Sequence, residues 1–487
     1  MRMTVPSRST ASGRSDISLT SLGRCAAPVN LGAASEEGCA TEQLAGAASR
    51  NRGAPLPSQL TIEILAEESW FPGGVVTALE PAAEQAPAGF EAYRLHTRWG
   101  TQLMLWPTGD SDSFDWWKSM LPVGGGGERW GEVPELAGAT IERIDAWDGR
   151  CWRIRESSGG IMRAHFLPLD SCGHGRRLAG IASEVLEAAV GGLQWQGRDV
   201  LLIYRQQQGE AASDRLAKTI EEGDHTAAEQ ICQASGEALG RFHSDALAWL
   251  SLPNDERRWN QRLKRLEEQL VTNTLWRAPH SRDTHATITH RNFGLEGVLL
   301  HDDDEPTIAN CADGVINAIL PPYQDVPAVR DLAAGYRSIS SILSNAGGHD
   351  IPADLELRLR RALFTGWCAT APSEATSAAA LDGHRGGVAI WEYEQVLEEV
   401  ACALAWKKEV PNRLTDWLSF IPHLQTSMYH SRTLSGLALV SGVSAATALF
   451  IPGVFDSLSN RIAAATILSL CALFLRWAYR RRAPPPY

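Results

Sequence analysis

Apolar and polar residues alternate in short runs from residue 60 to about 204, and from there to about 406 the apolar positions recur at helical spacing. Alternation over residues 61–65 predicts a strand, and the runs 92–99 and 101–106 predict a hairpin around Gly100. Residues 140–144 and 151–155 predict a second pair of strands across Asp148-Gly149, and residues 199–204 form a strongly apolar strand. Leu178, Ile181, Val185 and Leu186 fit one face of a helix over 176–190. Further helices are predicted over 227–248, 257–272, 331–344, 354–367 and 390–406, with one β-like island at 287–320.

Two long apolar stretches close the chain. Residues 433–455 carry no charge between Arg432 and Asp456, which is enough helix to cross a bilayer core of about 30 Å. A second run, 462–475, approaches spanning length if it starts at Leu458 and Arg476 snorkels. The pair predicts a transmembrane helical hairpin over 433–479, with Leu434, Phe455, Ile462 and Leu475 in lipid and Trp477 and Tyr479 at the interface. The cluster Arg480, Arg481 and Arg482 places that end, the tail 480–487 and the preceding body on the cytoplasmic side.

Length and composition refine this picture. A chain of 487 residues exceeds one ordinary core, so several domains are expected. Residues 1–57, rich in Ser, Ala, Gly and Arg, read as disordered and also resemble an organelle transit peptide. Residues 58–123 read as a small β-rich module and 124–137 as a Gly-rich linker. A formal charge of -12 with scattered basic residues argues against nucleic acid as a partner. The 9 cysteines include no C-x-x-C pair, the usage of a reducing compartment.

The island carries the chemistry. It runs Thr289-His290-Arg291-Asn292-Phe293-Gly294-Leu295-Glu296-Gly297, then an apolar strand, an acidic turn at 302–304, and Ile308-Ala309-Asn310-Cys311-Ala312-Asp313. This resembles the catalytic loop and metal-binding strand of the protein-kinase-like phosphotransferases, particularly the aminoglycoside phosphotransferase and lipopolysaccharide-kinase branches, where H-x-D-x-x-x-x-N precedes an apolar strand and D-F-G. Asn292 and Gly297 stand at the Asp-to-Asn step of that pattern, and Asn310 at the metal-binding Asp. Asp331-Leu332-Ala333 resembles the opening of the next helix, and residues 237–243, ending in Phe242-His243, the helix ahead of the loop.

The resemblance covers about residues 138–405 and implies an α+β, two-lobed protein-kinase-like fold: a small β-rich lobe at 138–207 and a helical lobe at 208–425. It implies that Arg155 replaces the phosphate-binding Lys and that Glu184 is the candidate ion-pair partner. ATP and Mg²⁺ are the cofactors it implies if that site is retained. The residue types argue against catalysis. An Asn amide cannot take a proton near neutral pH, Gly supplies no ligand, and a neutral amide is a poor partner for Mg²⁺.

A membrane-tethered, kinase-like binding or regulatory protein with a protein partner is therefore the leading expectation. One alternative is an active phosphotransferase on a small molecule, lipid or sugar, with Asp313 as a displaced metal ligand and His290 or Asp302 as base. Another is a structural membrane adaptor unrelated to kinases.

Overall fold

The computed structural model describes residues 60–109, 114–123, 127–144, 150–169, 172–206, 209–270, 284–301, 305–309, 314–320, 325–346, 351–381, 387–451 and 457–482. The expectations for residues 1–57, for the turn at Asp148-Gly149 and for the acidic turn at 302–304 lie outside the described residues.

Residues 61–65, expected as a strand, are instead a one-turn helix, α1 (Ile62–Leu65), because the Thr61 hydroxyl accepts the Ile64 N–H at 3.4 Å and starts a helix there. Three antiparallel strands follow: β1 (Val76–Pro81), β2 (Phe90–Thr97) and β3 (Gly100–Pro107). Thr97 stands opposite Gly100, so the expected hairpin closes where the glycine sits. Helix α2 (Phe114–Val123) comes next.

The second sheet is antiparallel throughout. Its strands are β4 (Glu128–Gly131), β5 (Thr140–Ile144), β6 (Cys151–Arg155), β7 (Ile161–Phe166), β8 (Gly191–Trp195) and β9 (Arg198–Arg205), in the order β4-β8-β9-β7-β6-β5. Part of the stretch read as a linker is thus sheet, with Trp130 opposite Gly192. Phe90, Leu105, Trp117 and Met120 share one core with Trp152, Ile154, Phe166 and Leu201, so the first sheet is layered on the second.

The helix expected over 176–190 is only α3 (His174–Ala179). The chain turns out at Gly180, whose N–H closes on the Arg177 carbonyl at 3.1 Å. Beyond it Val185 and Leu186 are buried as the pattern requires, but on an extended segment that bridges to Ile308. Apolar spacing alone could not tell the two apart.

After β10 (Glu210–Ala211) the protein is mainly helical: α4 (Ala212–Glu221), α5 (His225–Trp249) and α6 (Glu256–Leu270), with β11 (Leu252–Pro253) paired to β12 (His285–Ala286). The island supplies β13 (Val298–Leu300) and β14 (Thr307–Ile308), which join β10, and then α7 (Val315–Ile319). Helices α8 (Val329–Ala346), α9 (Leu355–Thr370), α10 (Ala378–Leu381) and α11 (Gly387–Ala405) complete the lobe. Helices α5 and α9 cross at two glycines: a Cβ on Gly236 would collide with the Leu363 carbonyl, and one on Gly366 with that of Gln233. A sheet lobe followed by a larger helical lobe is the two-lobed layout that the resemblance implies.

Two long helices end the chain, α12 (Asn412–Phe450) and α13 (Leu458–Arg482), packed on each other. Leu414, Ile421 and Met428 of α12 are buried in the main core. Past them the apolar side chains face outward, among them Leu439, Val440 and Phe450, with Ile467, Leu473 and Phe474 on α13. Both helices are long and apolar enough to cross a membrane, and only 11% of the apolar window of each is buried. Of the residues expected in the membrane, Ile462 and Trp477 are exposed and Leu434 and Leu475 half-buried, while Phe455 lies outside the described residues. Tyr479 differs from expectation: it is buried, with the Arg476 guanidinium 5.4 Å from its ring centre.

Candidate functional site

The loop from His290 to Gly297 is held from behind by one carboxylate. Asp331, fully buried in the first turn of α8, accepts the His290 N–H at 2.5 Å through Oδ2 and the Arg291 N–H at 3.2 Å through Oδ1. A third donor is His243 of α5, whose Nε2 lies 3.2 Å from Oδ2. The His243 tautomer is set by its other side: Trp367 Nε1–H donates to Nδ1 at 2.9 Å, so Nδ1 is the acceptor and Nε2 carries the proton. Burial pushes the Asp331 carboxyl up, but the His243 hydrogen bond and the Arg330 guanidinium outweigh it and hold the carboxyl below its usual range.

His290 is fully buried, and its Nε2–H donates to the Ala309 carbonyl at 3.0 Å. Burial lowers its pKa, against the pull of the Asp331 charge, so it is a neutral structural histidine. Ala309 in turn donates its N–H to the Gly297 carbonyl at 2.7 Å. The structure therefore brings together positions 290, 297 and 309. Asn310 and Asp313, next along the chain, lie outside the described residues.

A second layer sits under the first. Arg330 donates to the Arg291 carbonyl at 2.9 Å and to both oxygens of Glu398, and Arg262 reaches Glu398 and Glu394. Trp259 Nε1–H completes Glu394 at 2.7 Å. Sequence reading missed this network. Its signal was Arg and Glu on faces of α6, α8 and α11 that are otherwise apolar, which is costly unless the charges meet.

Asn292 faces the other way. It lines a cavity of about 540 Å³ walled by α7, α8, α11 and the start of α12, to which Glu296, Asn317, Arg337, Gln395 and Arg413 also contribute. The chain returns close to Asn292 at Gly314, where a Cβ would stand 3.8 Å from its Oδ1. Two of the cavity's carboxylates are already engaged, Glu398 by Arg262 and Arg330, and Glu399 by Arg337 at 2.6 Å and by Arg413 at 2.5 Å. Glu296, exposed at the rim, accepts from the Ser338 hydroxyl and is the cavity carboxylate with no arginine partner among the described residues. Gln395 is 8% exposed, and its Nε2 has no hydrogen-bond partner among the described residues.

The small-lobe pair does not form. Arg155 is exposed at the end of β6, and Glu184 is exposed on the extended stretch that replaces the expected helix. No ion pair joins them among the described residues, because α3 ends before the position from which a helical Glu184 would reach inward. The lobes are linked elsewhere, by a two-pronged contact from Arg177 of α3 to Asp325 at 2.9 and 3.1 Å.

No protein-family description matches the chain, and no curated protein matches it by sequence. Among solved structures, a glucosamine kinase is similar to it at 12% identity, covering 75% of this chain and 96% of its own, with a TM-score of 0.48. An amicoumacin kinase bound to AMP-PNP and Ca²⁺ is similar at 12% identity over 66% of this chain and 93% of its own, with a TM-score of 0.39. A macrolide 2'-phosphotransferase from Brachybacterium faecium is similar at 16% identity over 59% of this chain and 97% of its own, with a TM-score of 0.27.

Proposed function

We propose that the protein is a membrane-tethered, kinase-like binding module that keeps the supports of a catalytic loop and lacks its chemistry. The observation that carries this reading is the contrast across the loop. Asp331, His243 and Trp367 hold it in place, yet the side chain it presents to the cavity is the amide of Asn292. An amide cannot accept the hydroxyl proton that phosphoryl transfer must remove. The neighbouring arginines occupy the lone pairs of Glu398 and Glu399 that a proton would need. The ligand-poor position Gly297 points the same way.

Binding is supported by the cavity itself. It has the volume of a small-molecule site, and the buried Gln395 amide offers a donor that nothing in the described chain takes up. The apolar surfaces of α12 and α13 support the tether, with the body and the Arg480–Arg482 end on the cytoplasmic side. A protein partner is expected to read the occupied cavity.

The test is a thermal-shift titration of the full chain with ATP and ADP, with and without Mg²⁺, beside a phosphate-release assay. Binding without turnover is expected, and Asn292→Asp alone should not restore turnover. Turnover by the wild type that is lost in Asp313→Asn or Glu296→Gln would establish the active-phosphotransferase alternative instead.

A further inference from the structure

The stretch from Glu68 to Val75, just ahead of the first sheet, is bonded to both lobes. On the sheet side, Arg143 of β5 donates to the Glu68 carboxylate at 3.0 Å. Trp70, only 1% exposed, stacks on Trp106 of β3 with ring centres 5.9 Å apart, and the Arg150 guanidinium lies 5.8 Å from its ring. On the helical side, Trp406 Nε1–H donates to the Ser69 carbonyl at 2.7 Å, and the Gly74 N–H donates to the Ala405 carbonyl at 2.7 Å.

The last of these bonds completes a helix end. The final carbonyls of an α-helix need partners from outside its own ladder. At the end of α11, Cys402 accepts from the Trp406 N–H at 3.2 Å, Leu404 from Lys407 at 3.2 Å and Ala403 from Lys408 at 2.8 Å, which leaves Ala405 to Gly74. Lys407 turns the chain toward α12 with a left-handed φ of 53°, a conformation that a side chain disfavours, so the turn depends on the bonds around it. Only glycine fits opposite, since a Cβ on Gly74 would collide with the Leu404 carbonyl.

Trp406 and Cys402 also line the cavity in front of Asn292. We propose that residues 68–75 are a strap that gates this cavity. Bound to α11, the strap fixes the Trp406 wall and ties it to the small lobe; released, it lets the wall and the small lobe move apart. The proposal rests on reading the cavity as the binding site. The Ser69 carbonyl and the Trp406 indole hold each other, so loosening either side loosens the other by the same factor.

That reciprocity is the test, made on the full chain in detergent. Gly74→Ala, a change in the strap, is read on the wall by the rate at which N-ethylmaleimide alkylates Cys402, located by peptide mass spectrometry. The rate should rise by about ten- to a hundredfold, the effect of one lost backbone bond on a local opening equilibrium. Cys232, buried inside the helical lobe, should keep its wild-type rate and so reports that the variant is folded. Trp406→Phe, a change in the wall, is read in the strap by hydrogen exchange of the amides at 68–75, which should quicken by about fivefold. A folded Gly74→Ala chain that labels Cys402 at the wild-type rate would overturn the proposal. So would strap amides that exchange at the wild-type rate in Trp406→Phe, and this arm decides alone if Gly74→Ala does not fold. Phosphate release by the wild type would defeat the reading of a module without catalysis and leave the strap standing, whereas unchanged labelling and exchange defeat the strap alone.

Discussion

Two clusters of polar side chains flank the loop from His290 to Gly297, built from similar residue types and doing different things. Behind the loop, Asp331, His243, His290 and Arg330 are fully buried, and Asp331 has donors on both its oxygens. In front, Asn292, Glu296, Arg413 and Glu399 are partly open to the cavity, and Gln395 beside them is buried with an unused donor. A buried polar group without a partner is far more costly than an exposed one, so the rear cluster fixes the shape of the loop and the front cluster is free to vary.

The contrast is broken most directly at Asp331. Asp331→Ala leaves two backbone N–H groups and a histidine without their acceptor and should destabilise the protein by about 3–5 kcal/mol, read by denaturant unfolding of the full chain in detergent. A loss below about 1 kcal/mol would mean that the loop is held by something other than this carboxylate. Trp367→Phe, which removes only the donor to His243, should cost about 1–3 kcal/mol and free the His243 ring to change tautomer, visible as a shifted imidazole resonance.

Acid sharpens the comparison without mutation. Burial holds His165 and His290 below the ordinary histidine value of 6.5, so the unfolded chain binds protons that the folded chain refuses. The stability present above pH 6.5 is lost as pH falls below it, by about 1.4 kcal/mol per pH unit for each histidine. Asp331, held below 3.8, keeps its contribution until far more acid conditions. A melting temperature flat from neutral pH to pH 5 would contradict the neutral assignment of both rings. The smallest effect belongs to the front cluster. Arg413→Ala removes a half-exposed partner of Glu399 and should cost no more than about 1 kcal/mol, while speeding hydrogen exchange in the first turn of α12.

Much of this layout was legible in the sequence. The helices that became α5, α8, α9 and α11 follow strong helical spacing, and Gly100 marks the β2–β3 hairpin. Asp331 and His243 stood in recognisable strings, although the carboxylate that ties them into one cluster could be seen only in three dimensions. The extended segment at 185–187 was not legible, since its burial pattern suits a helix and only its bridge to Ile308 shows it to be extended. Nor was the start of α12, because residues 412–432 mix polar and apolar positions, and their seven-residue repeat of Leu414, Ile421 and Met428 is short.

Helix α12 runs from Asn412 to Phe450 through Pro422, with Arg413 at the cavity and Arg432 where its apolar half begins. At 1.5 Å per residue those two arginines stand about 29 Å apart along one rod. With the apolar half in a bilayer, that rod is a ruler: it sets how far above the lipid surface the cavity opens. Inserting turns just beyond Met428, the last α12 side chain in the main core, would raise the cavity without drawing Ile421 or Met428 out of that core.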